Sequence, residues 1–157
     1  MGAYTGAAGG CQCGRIRYRL LEEPLALYAC HCRHCQKQSS SAFGLSVWVM
    51  EENFELEHGD ITFREVKGDS GRVKRCGFCA KCGSRIYHCG SAGSDVEGGI
   101  VYSIKGGTLD CARDLKPVAH IWTRSAHKWL DLDNSGLMVF DTEPESFYAI
   151  VQAYTDQ

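Results

Sequence analysis

The sequence has no long apolar run, no surplus of basic residues and no proline-rich segment. None of its hydrophobic stretches approaches the roughly 18 residues of a membrane-spanning helix, and only three of its 157 residues are proline. The formal net charge is −2, whereas a dedicated nucleic-acid binder usually carries a basic face. These absences argue against a membrane protein and against a zinc-ribbon protein that binds nucleic acid.

The first ten residues, MGAYTGAAGG, have neither the positive start nor the apolar core of a signal peptide. We therefore expect a cytoplasmic protein, in which thiols stay reduced. Clustered cysteines then bind metal or take part in catalysis more often than they form disulfides. The chain has ten cysteines. Seven of them pair off in CxC or CxxC spacings without help from the rest: Cys11, Cys13, Cys30, Cys32, Cys35, Cys79 and Cys82.

Short strand-like runs separated by turn residues dominate the chain. Residues 15–21 alternate polar and apolar side chains, with Ile16, Tyr18 and Leu20 on one face. Other runs are rich in β-branched and aromatic residues and are bounded by glycine, asparagine and aspartate. They predict strands at 45–50, 61–66, 72–75, 85–88, 100–104 and 118–123. The length suits one domain, so we expect a single, mainly β domain over residues 1–157, with its core at 9–140.

Two segments have helical patterns. Residues 33–41 predict a short helix that begins inside the cysteine-rich stretch. Near the C-terminus, Thr142 and Glu145 have the spacing of a capping box, with Pro144 in the first turn. They predict an amphipathic helix at 143–155 that packs on the sheet. The apolar residues of its inner face are Phe147, Ile150, Val151 and Tyr154.

Two cysteine pairs, each followed by glycine, have the spacing of zinc knuckles. They are Cys11 with Cys13 and Cys79 with Cys82. A structural zinc takes four soft ligands, and glycine permits the tight turn that aims backbone N–H groups at the sulfurs. We expect the two pairs to close one four-cysteine site, although each pair alone is also compatible with a redox-active or incidental thiol pair.

The stretch CHCRHC supplies three more thiolates, from Cys30, Cys32 and Cys35. No cysteine is an obvious fourth ligand. Structural zinc sites are closed, whereas catalytic sites keep one position open. The ligand count therefore favours a zinc with an open position for chemistry.

Two alternatives remain for this stretch. Either His31 or His34 closes a structural site, although alternation in an extended chain points His31 away from its neighbours. Alternatively, the three cysteines hold an iron–sulfur cluster, which usually needs a fourth thiolate. The candidates for that thiolate are Cys76, Cys89 and Cys111, which otherwise have no assigned role.

The motifs follow one another in a characteristic order: CQCG at 11–14, CHCRHCQKQSSSAFG at 30–44, CAKCGS at 79–84, GGTLD at 106–110 and HIWTRSAHKWL at 120–130. In this order and spacing they resemble the glutathione-dependent formaldehyde-activating family, in which centromere protein V is a relative. The resemblance covers residues 9–140. It implies an Mss4-like fold of several packed antiparallel sheets, with short helices.

The resemblance also implies two zinc ions per chain. The structural zinc would be bound by Cys11, Cys13, Cys79 and Cys82. The catalytic zinc would be bound by Cys30, Cys32 and Cys35. Since three thiolates hold a metal less tightly than four, we expect the second zinc to be only partly occupied.

The activity implied by the resemblance is that of a carbon–sulfur lyase, which adds a thiol to formaldehyde or reverses that reaction. With glutathione the product is S-hydroxymethylglutathione. His31 and His34 are candidates for moving the proton to the new alkoxide. Arg124 is a candidate for binding a carboxylate of glutathione.

A competing hypothesis is a non-catalytic zinc module that binds protein partners, as the centromere relative suggests. A long basic or proline-rich extension would favour it, and this chain has none. The sequence predicts no nucleic-acid or membrane partner and does not predict the oligomeric state.

Overall fold

The computed structural model describes residues 2–90 and 99–157. The strands in this part of the chain are β1 (Ala8–Gly10), β2 (Arg17–Leu20), β3 (Ala26–Cys30), β4 (Gly44–Met50), β5 (Phe54–His58), β6 (Thr62–Lys67), β7 (Val73–Phe78), β8 (Arg85–Gly90), β9 (Val101–Lys105), β10 (Ala119–Ile121) and β11 (Met138–Val139). The α-helices are α1 (Arg33–Ser39) and α2 (Tyr148–Thr155). The protein is thus mainly β, as expected, and consistent with an Mss4-like fold.

The strands form two sheets. The smaller has the order β1-β2-β5, and the larger has the order β11-β10-β3-β4-β9-β8-β7-β6. From β3 to β6 each neighbouring pair is antiparallel, but β10 runs parallel to both β3 and β11. The larger sheet is therefore mixed, whereas the sequence analysis predicted antiparallel sheets. Two parallel strands must be joined by a long crossover connection. The residues of β10 themselves do not indicate in which direction the strand runs, so its parallel pairing could not be predicted.

The smaller sheet packs on one face of the larger one through aromatic rings. The predicted alternation in β2 is confirmed, since Tyr18 is fully buried and its ring lies 5.0 Å from that of Phe54. Phe54 in turn contacts Tyr87 of β8 and Tyr102 of β9, at centroid distances of 5.2 and 5.6 Å. Because strand side chains alternate, the residues next to these tyrosines face the other side of the larger sheet.

Helix α2 begins later than the capping box predicts. It starts at Tyr148, and Phe147 precedes it without a side-chain cap. Residues upstream are held by other contacts: the carbonyl of Thr142 accepts from the N–H of Trp122 at 3.0 Å, and Glu143 forms an ion pair with Arg72. These tertiary contacts compete with the local cap and keep the segment out of the helix. In the described residues, no helix has both the length and the apolar character needed to cross a membrane.

The inner face predicted for α2 is buried except for Val151, which is partly buried. Ile150 is fully buried, Tyr154 is buried, and Phe147 packs 5.5 Å from the ring of Tyr28 on β3. The helix thus covers β3, the strand that leads directly into the cysteine-rich stretch.

Candidate metal centres and cavity

Four sulfur atoms converge where the N-terminal segment meets the turn between β7 and β8. The Sγ atoms of this four-cysteine cluster, formed by Cys11, Cys13, Cys79 and Cys82, lie within 4.8 Å of one another. The Sγ atom of Cys13 lies 3.5 Å from that of Cys11 and 3.8 Å from that of Cys79. Sulfurs about 2.3 Å from a tetrahedral zinc are about 3.8 Å apart, so the cluster fits a zinc ion.

Tight turns aim hydrogen-bond donors at the sulfurs of this cluster. Gly14 and Gly83 follow the two cysteine pairs with φ angles of 75° and 78°, which glycine adopts without strain. Hydrogen bonds from the hydroxyl and the backbone of Ser84 lower the pKa of the Cys82 thiol to about 5. Such donors stabilise the thiolate, which is the form of cysteine that binds metal.

Three further sulfurs converge at the junction of β3 and α1. The Sγ atoms of this three-cysteine cluster, formed by Cys30, Cys32 and Cys35, lie within 4.8 Å of one another, and all three residues are buried. Cys30 ends β3, and Cys32 is the N-cap of α1, where its Sγ atom accepts from the N–H of Cys35 at 3.3 Å. Among the described residues, no fourth cysteine, histidine or carboxylate joins the cluster.

The three buried thiols cannot all ionise without a cation. Hydrogen bonds from Cys30 and Cys32 hold the pKa of Cys35 well below its usual range. The same sharing of protons raises the pKa of Cys30. A divalent ion would offset this repulsion, and three thiolates are soft ligands that suit zinc. The three-cysteine cluster therefore also fits a metal ion, with one ligand fewer than the four-cysteine cluster.

His31 points away from the cluster, as the alternation along the extended chain predicts. It is fully buried, and its Nε2 atom lies 3.0 Å from Nδ1 of His120. Burial, together with the charge of His120, lowers the pKa of His31 to about 4. His34 is on the other side, where its Nε2 atom lies 3.1 Å from Oδ1 of Asp69.

A cavity of about 620 Å³ opens directly onto the three-cysteine cluster. Its wall includes all three of these cysteines, as well as His34 and the aromatic residues Trp48, Trp122 and Phe147. Among the described residues that line it, none belongs to the four-cysteine cluster. The volume is in the range of small-molecule sites, which are mostly apolar with a few convergent polar groups.

Comparison with known proteins decides the family. The sequence profile described as glutathione-dependent formaldehyde-activating enzyme matches residues 6–125. The chain belongs to this family. No curated protein matches the sequence significantly. Among solved structures, a protein from Rhodobacter sphaeroides is similar, with a TM-score of 0.46 and 13% identity over 85% of this chain and 98% of that chain.

Family membership and the two cysteine clusters together suggest zinc binding and chemistry of the formaldehyde-activating type. Arg124, the candidate cation of the sequence analysis, is not among the residues that line the cavity. Arg124 is exposed, and its guanidinium stacks on Trp122 at 5.0 Å from the ring centroid. The cavity wall instead includes Arg72 and Lys74 of the β6–β7 hairpin. Arg72 is paired with Glu143 across the cavity, whereas Lys74 has no ion-pair partner among the described residues.

A histidine that sequence reasoning missed also lines the cavity. His88 of β8 is buried, and its Nδ1 atom lies 2.8 Å from Nζ of Lys105 on β9. Burial, followed by the charges of Lys105 and Lys74, holds the pKa of His88 well below its usual range. No local motif marks His88 or Lys105, since only the pairing of β8 with β9 brings them together.

The remaining cysteines and tryptophans take varied positions. Cys76 and Cys89 line the cavity, but neither joins a cluster, and Cys111 is partly buried elsewhere. No fourth thiolate therefore completes an iron–sulfur site within the described residues. Trp122 lines the cavity, whereas Trp129 is 72% exposed.

Proposed function

We propose that the protein is a zinc-dependent carbon–sulfur lyase that forms or cleaves a thiol–aldehyde adduct such as S-hydroxymethylglutathione. One observation supports this most: the three-cysteine cluster, with no fourth ligand among the described residues, lies in the wall of a cavity of about 620 Å³. An incomplete ligand set beside space for a small molecule is typical of a catalytic zinc. The four-cysteine cluster has a full ligand set and lies outside the cavity, as suits a structural zinc.

In this proposal, Cys30, Cys32 and Cys35 would hold the catalytic zinc. When bound, the metal would lower the pKa of a substrate thiol and so supply a thiolate nucleophile. The reaction forms a carbon–sulfur bond, and the π electrons of the carbonyl move to its oxygen. The apolar walls formed by Trp48, Trp122 and Phe147 would exclude bulk water from the adduct.

Charged side chains of the cavity suit a thiol that carries carboxylates. Glutathione has two, and the wall offers Lys74 and Arg72. These residues replace Arg124 in our proposal, because Arg124 stacks on Trp122 and is not among the residues that line the cavity. Of the two histidines considered for proton transfer, His31 is directed towards His120, so only His34 remains a candidate. The contact between its Nε2 atom and Oδ1 of Asp69 must open before that nitrogen can act.

The proposal is tested by two-dimensional exchange NMR with glutathione and ¹³C-formaldehyde, with zinc content measured on the same samples. We expect the protein to speed exchange between free thiol and adduct. In the wild type we expect up to two zinc ions, the second only partly occupied without added zinc. The Cys30/Cys32/Cys35 triple-serine variant should hold one and should leave exchange at the uncatalysed rate. Unchanged exchange in a wild type that holds both zinc ions would favour the protein-binding module.

A further inference from the structure

One face of the larger sheet carries a row of polar side chains that the proposed function does not use. On β8 and β9, Tyr87 and Tyr102 face the smaller sheet, so His88 and Ser103 face the cavity. His88 and Ser103 are paired in register, and both are buried. Lys105 lies two residues beyond Ser103 on the same face of β9. Burying a polar group costs free energy unless the group has a hydrogen-bond partner. The burial of this row therefore calls for a functional explanation.

The contact between Lys105 and His88 fixes how the imidazole is protonated. An ammonium group has three donors and no acceptor. Nζ of Lys105 therefore donates to Nδ1 of His88 over 2.8 Å. An imidazole whose Nδ1 accepts carries its proton on Nε2. His88 is thus held as a neutral donor on the cavity wall.

The surroundings of His88 are short of negative charge. The carboxylates that line the cavity, Asp69 and Glu143, are already paired with His34 and Arg72. Within the described residues, Oγ of Ser103 is buried without a hydrogen-bond partner. The positive charges of Lys105, Lys74 and Arg85 all act on His88. A site of this kind favours an anion or an oxygen on which negative charge develops.

Lys105 also connects His88 with the three-cysteine cluster. Across the larger sheet, Lys105 pairs with Ser46 of β4, and Ser46 pairs with Tyr28 of β3, two residues before Cys30 on the same face of that strand. The same ammonium group therefore lies near the cluster and holds the imidazole. A small aldehyde attacked by a sulfur at the cluster would then have its oxygen on the side of His88.

We propose that His88 is a catalytic residue whose Nε2–H donates to the aldehyde oxygen as it becomes an alkoxide, and that Lys105 is the positioning residue that sets its tautomer. This inference rests on the proposed lyase function. In the step, the carbon–sulfur bond forms, the carbonyl π bond breaks, and its electron pair goes to the oxygen. Water supplies the proton that completes the hydroxyl and so balances the proton that the thiol released. In the reverse direction, the same donor stabilises the alkoxide before the carbon–sulfur bond breaks.

The kinetic test compares four variants for formation of the glutathione adduct. His88→Leu should lower kcat about 100-fold, as the loss of one oxyanion donor does, with the KM for glutathione unchanged because the thiol is held elsewhere. His88→Gln should recover part of kcat, since its amide also donates. Exposed residues provide the controls: His58→Leu and Lys128→Met should behave like the wild type. A zinc-replete, folded His88→Leu protein with wild-type kcat would overturn the proposal.

The positioning role of Lys105 has a readout that does not depend on activity. Long-range ¹H–¹⁵N spectra of histidine side chains report the tautomer, and the His88 signals are those missing from His88→Gln. We expect an Nε2–H tautomer in the wild type, a mixture in Lys105→Met and recovery in Lys105→Arg, which also only donates. An Nδ1–H tautomer in the wild type, or no change in Lys105→Met, would overturn the role of Lys105.

These measurements separate the two proposals. A wild type without lyase activity but with an Nε2–H tautomer would refute the proposed function and the catalytic role of His88, while retaining the hydrogen bond that Lys105 makes. An active wild type with an unaffected His88→Leu variant would refute only the role of His88.

Discussion

The two cysteine clusters are built from the same ligand type but differ in count, origin and access. The four-cysteine cluster joins two knuckles 66 residues apart and lies outside the cavity. The three-cysteine cluster comes from six consecutive residues, is buried, and lines the cavity. A closed site that links distant segments contributes to folding, whereas an incomplete site at a cavity leaves space for a ligand. Ligand count and access together therefore distinguish the two clusters.

Replacing a ligand of the four-cysteine cluster should have the largest effect. A structural zinc contributes about 10 kcal/mol to small zinc domains, which is comparable with the whole stability of a domain. We therefore expect Cys79→Ser to be unfolded at 25 °C, as measured by circular dichroism and chemical-shift dispersion. Cys111→Ser, which changes a partly buried cysteine outside both clusters, is the matched control and should remain folded.

Replacing a ligand of the three-cysteine cluster should abolish activity but not the fold. We expect Cys32→Ser to lose one zinc and all acceleration of adduct exchange, while keeping a cooperative thermal transition. The reason is that β3, which leads into α1, is also held by the packing of α2 and by pairing with β4 and β10. A Cys32→Ser protein as unfolded as Cys79→Ser would remove the distinction between the clusters.

A smaller effect is expected at the charged wall of the cavity. Loss of one charge-assisted hydrogen bond costs about 1.5 kcal/mol, or roughly a tenfold change in affinity. Lys74→Met should therefore raise the KM for glutathione about tenfold and leave kcat unchanged. With 2-mercaptoethanol, which has no carboxylate, the variant and the wild type should be equal. An equal loss with both thiols would mean that Lys74 does not recognise the carboxylate.

The smallest effect is expected beside the four-cysteine cluster, at the surface. Arg17 donates to Asp110, with Nη1 3.0 Å from Oδ1, and lowers the pKa of that carboxyl. A lowered pKa adds stability above the unfolded value of about 3.9, and this stability is lost as the pH falls through the folded value. Both side chains are more than one-third exposed, so the contribution should stay below about 1 kcal/mol.

Urea unfolding at pH 7 measures this contribution. The difference between the wild type and Asp110→Asn should shrink in 1 M salt, because salt screens exposed ion pairs. A difference that persists in high salt would indicate that Asp110 stabilises the protein through packing rather than charge.

Local patterns predicted those parts of the fold that depend on neighbouring residues. The alternation around Tyr18 and the inner face of α2 are properties of short segments, and the structure has both. The three-cysteine cluster is equally local. The four-cysteine cluster was predictable despite its long span, because each knuckle carries half a ligand set that needs the other half.

Features that depend on sheet order could not be predicted in the same way. Lys74, His88 and Lys105 come from three strands, and they lie near one another only because β7, β8 and β9 are neighbours. Likewise, the parallel direction of β10 relative to β3 could not be predicted, because it depends on the long connection between the two strands. The start of α2 was mispredicted because the ion pair of Glu143 and the bond to the Thr142 carbonyl outweigh a local cap.

The long span of the four-cysteine cluster also governs the order of events during protein synthesis. Cys13 leaves the ribosome 66 residues ahead of Cys79, so the first knuckle has no partner while β2 to β6 are being made. Closing a loop of that length costs about 4 kcal/mol of chain entropy, which metal capture at the second knuckle must exceed. Without the metal, newly made chains would therefore lack this link between the N-terminal segment and the β7–β8 turn, and that segment would be more open to proteases.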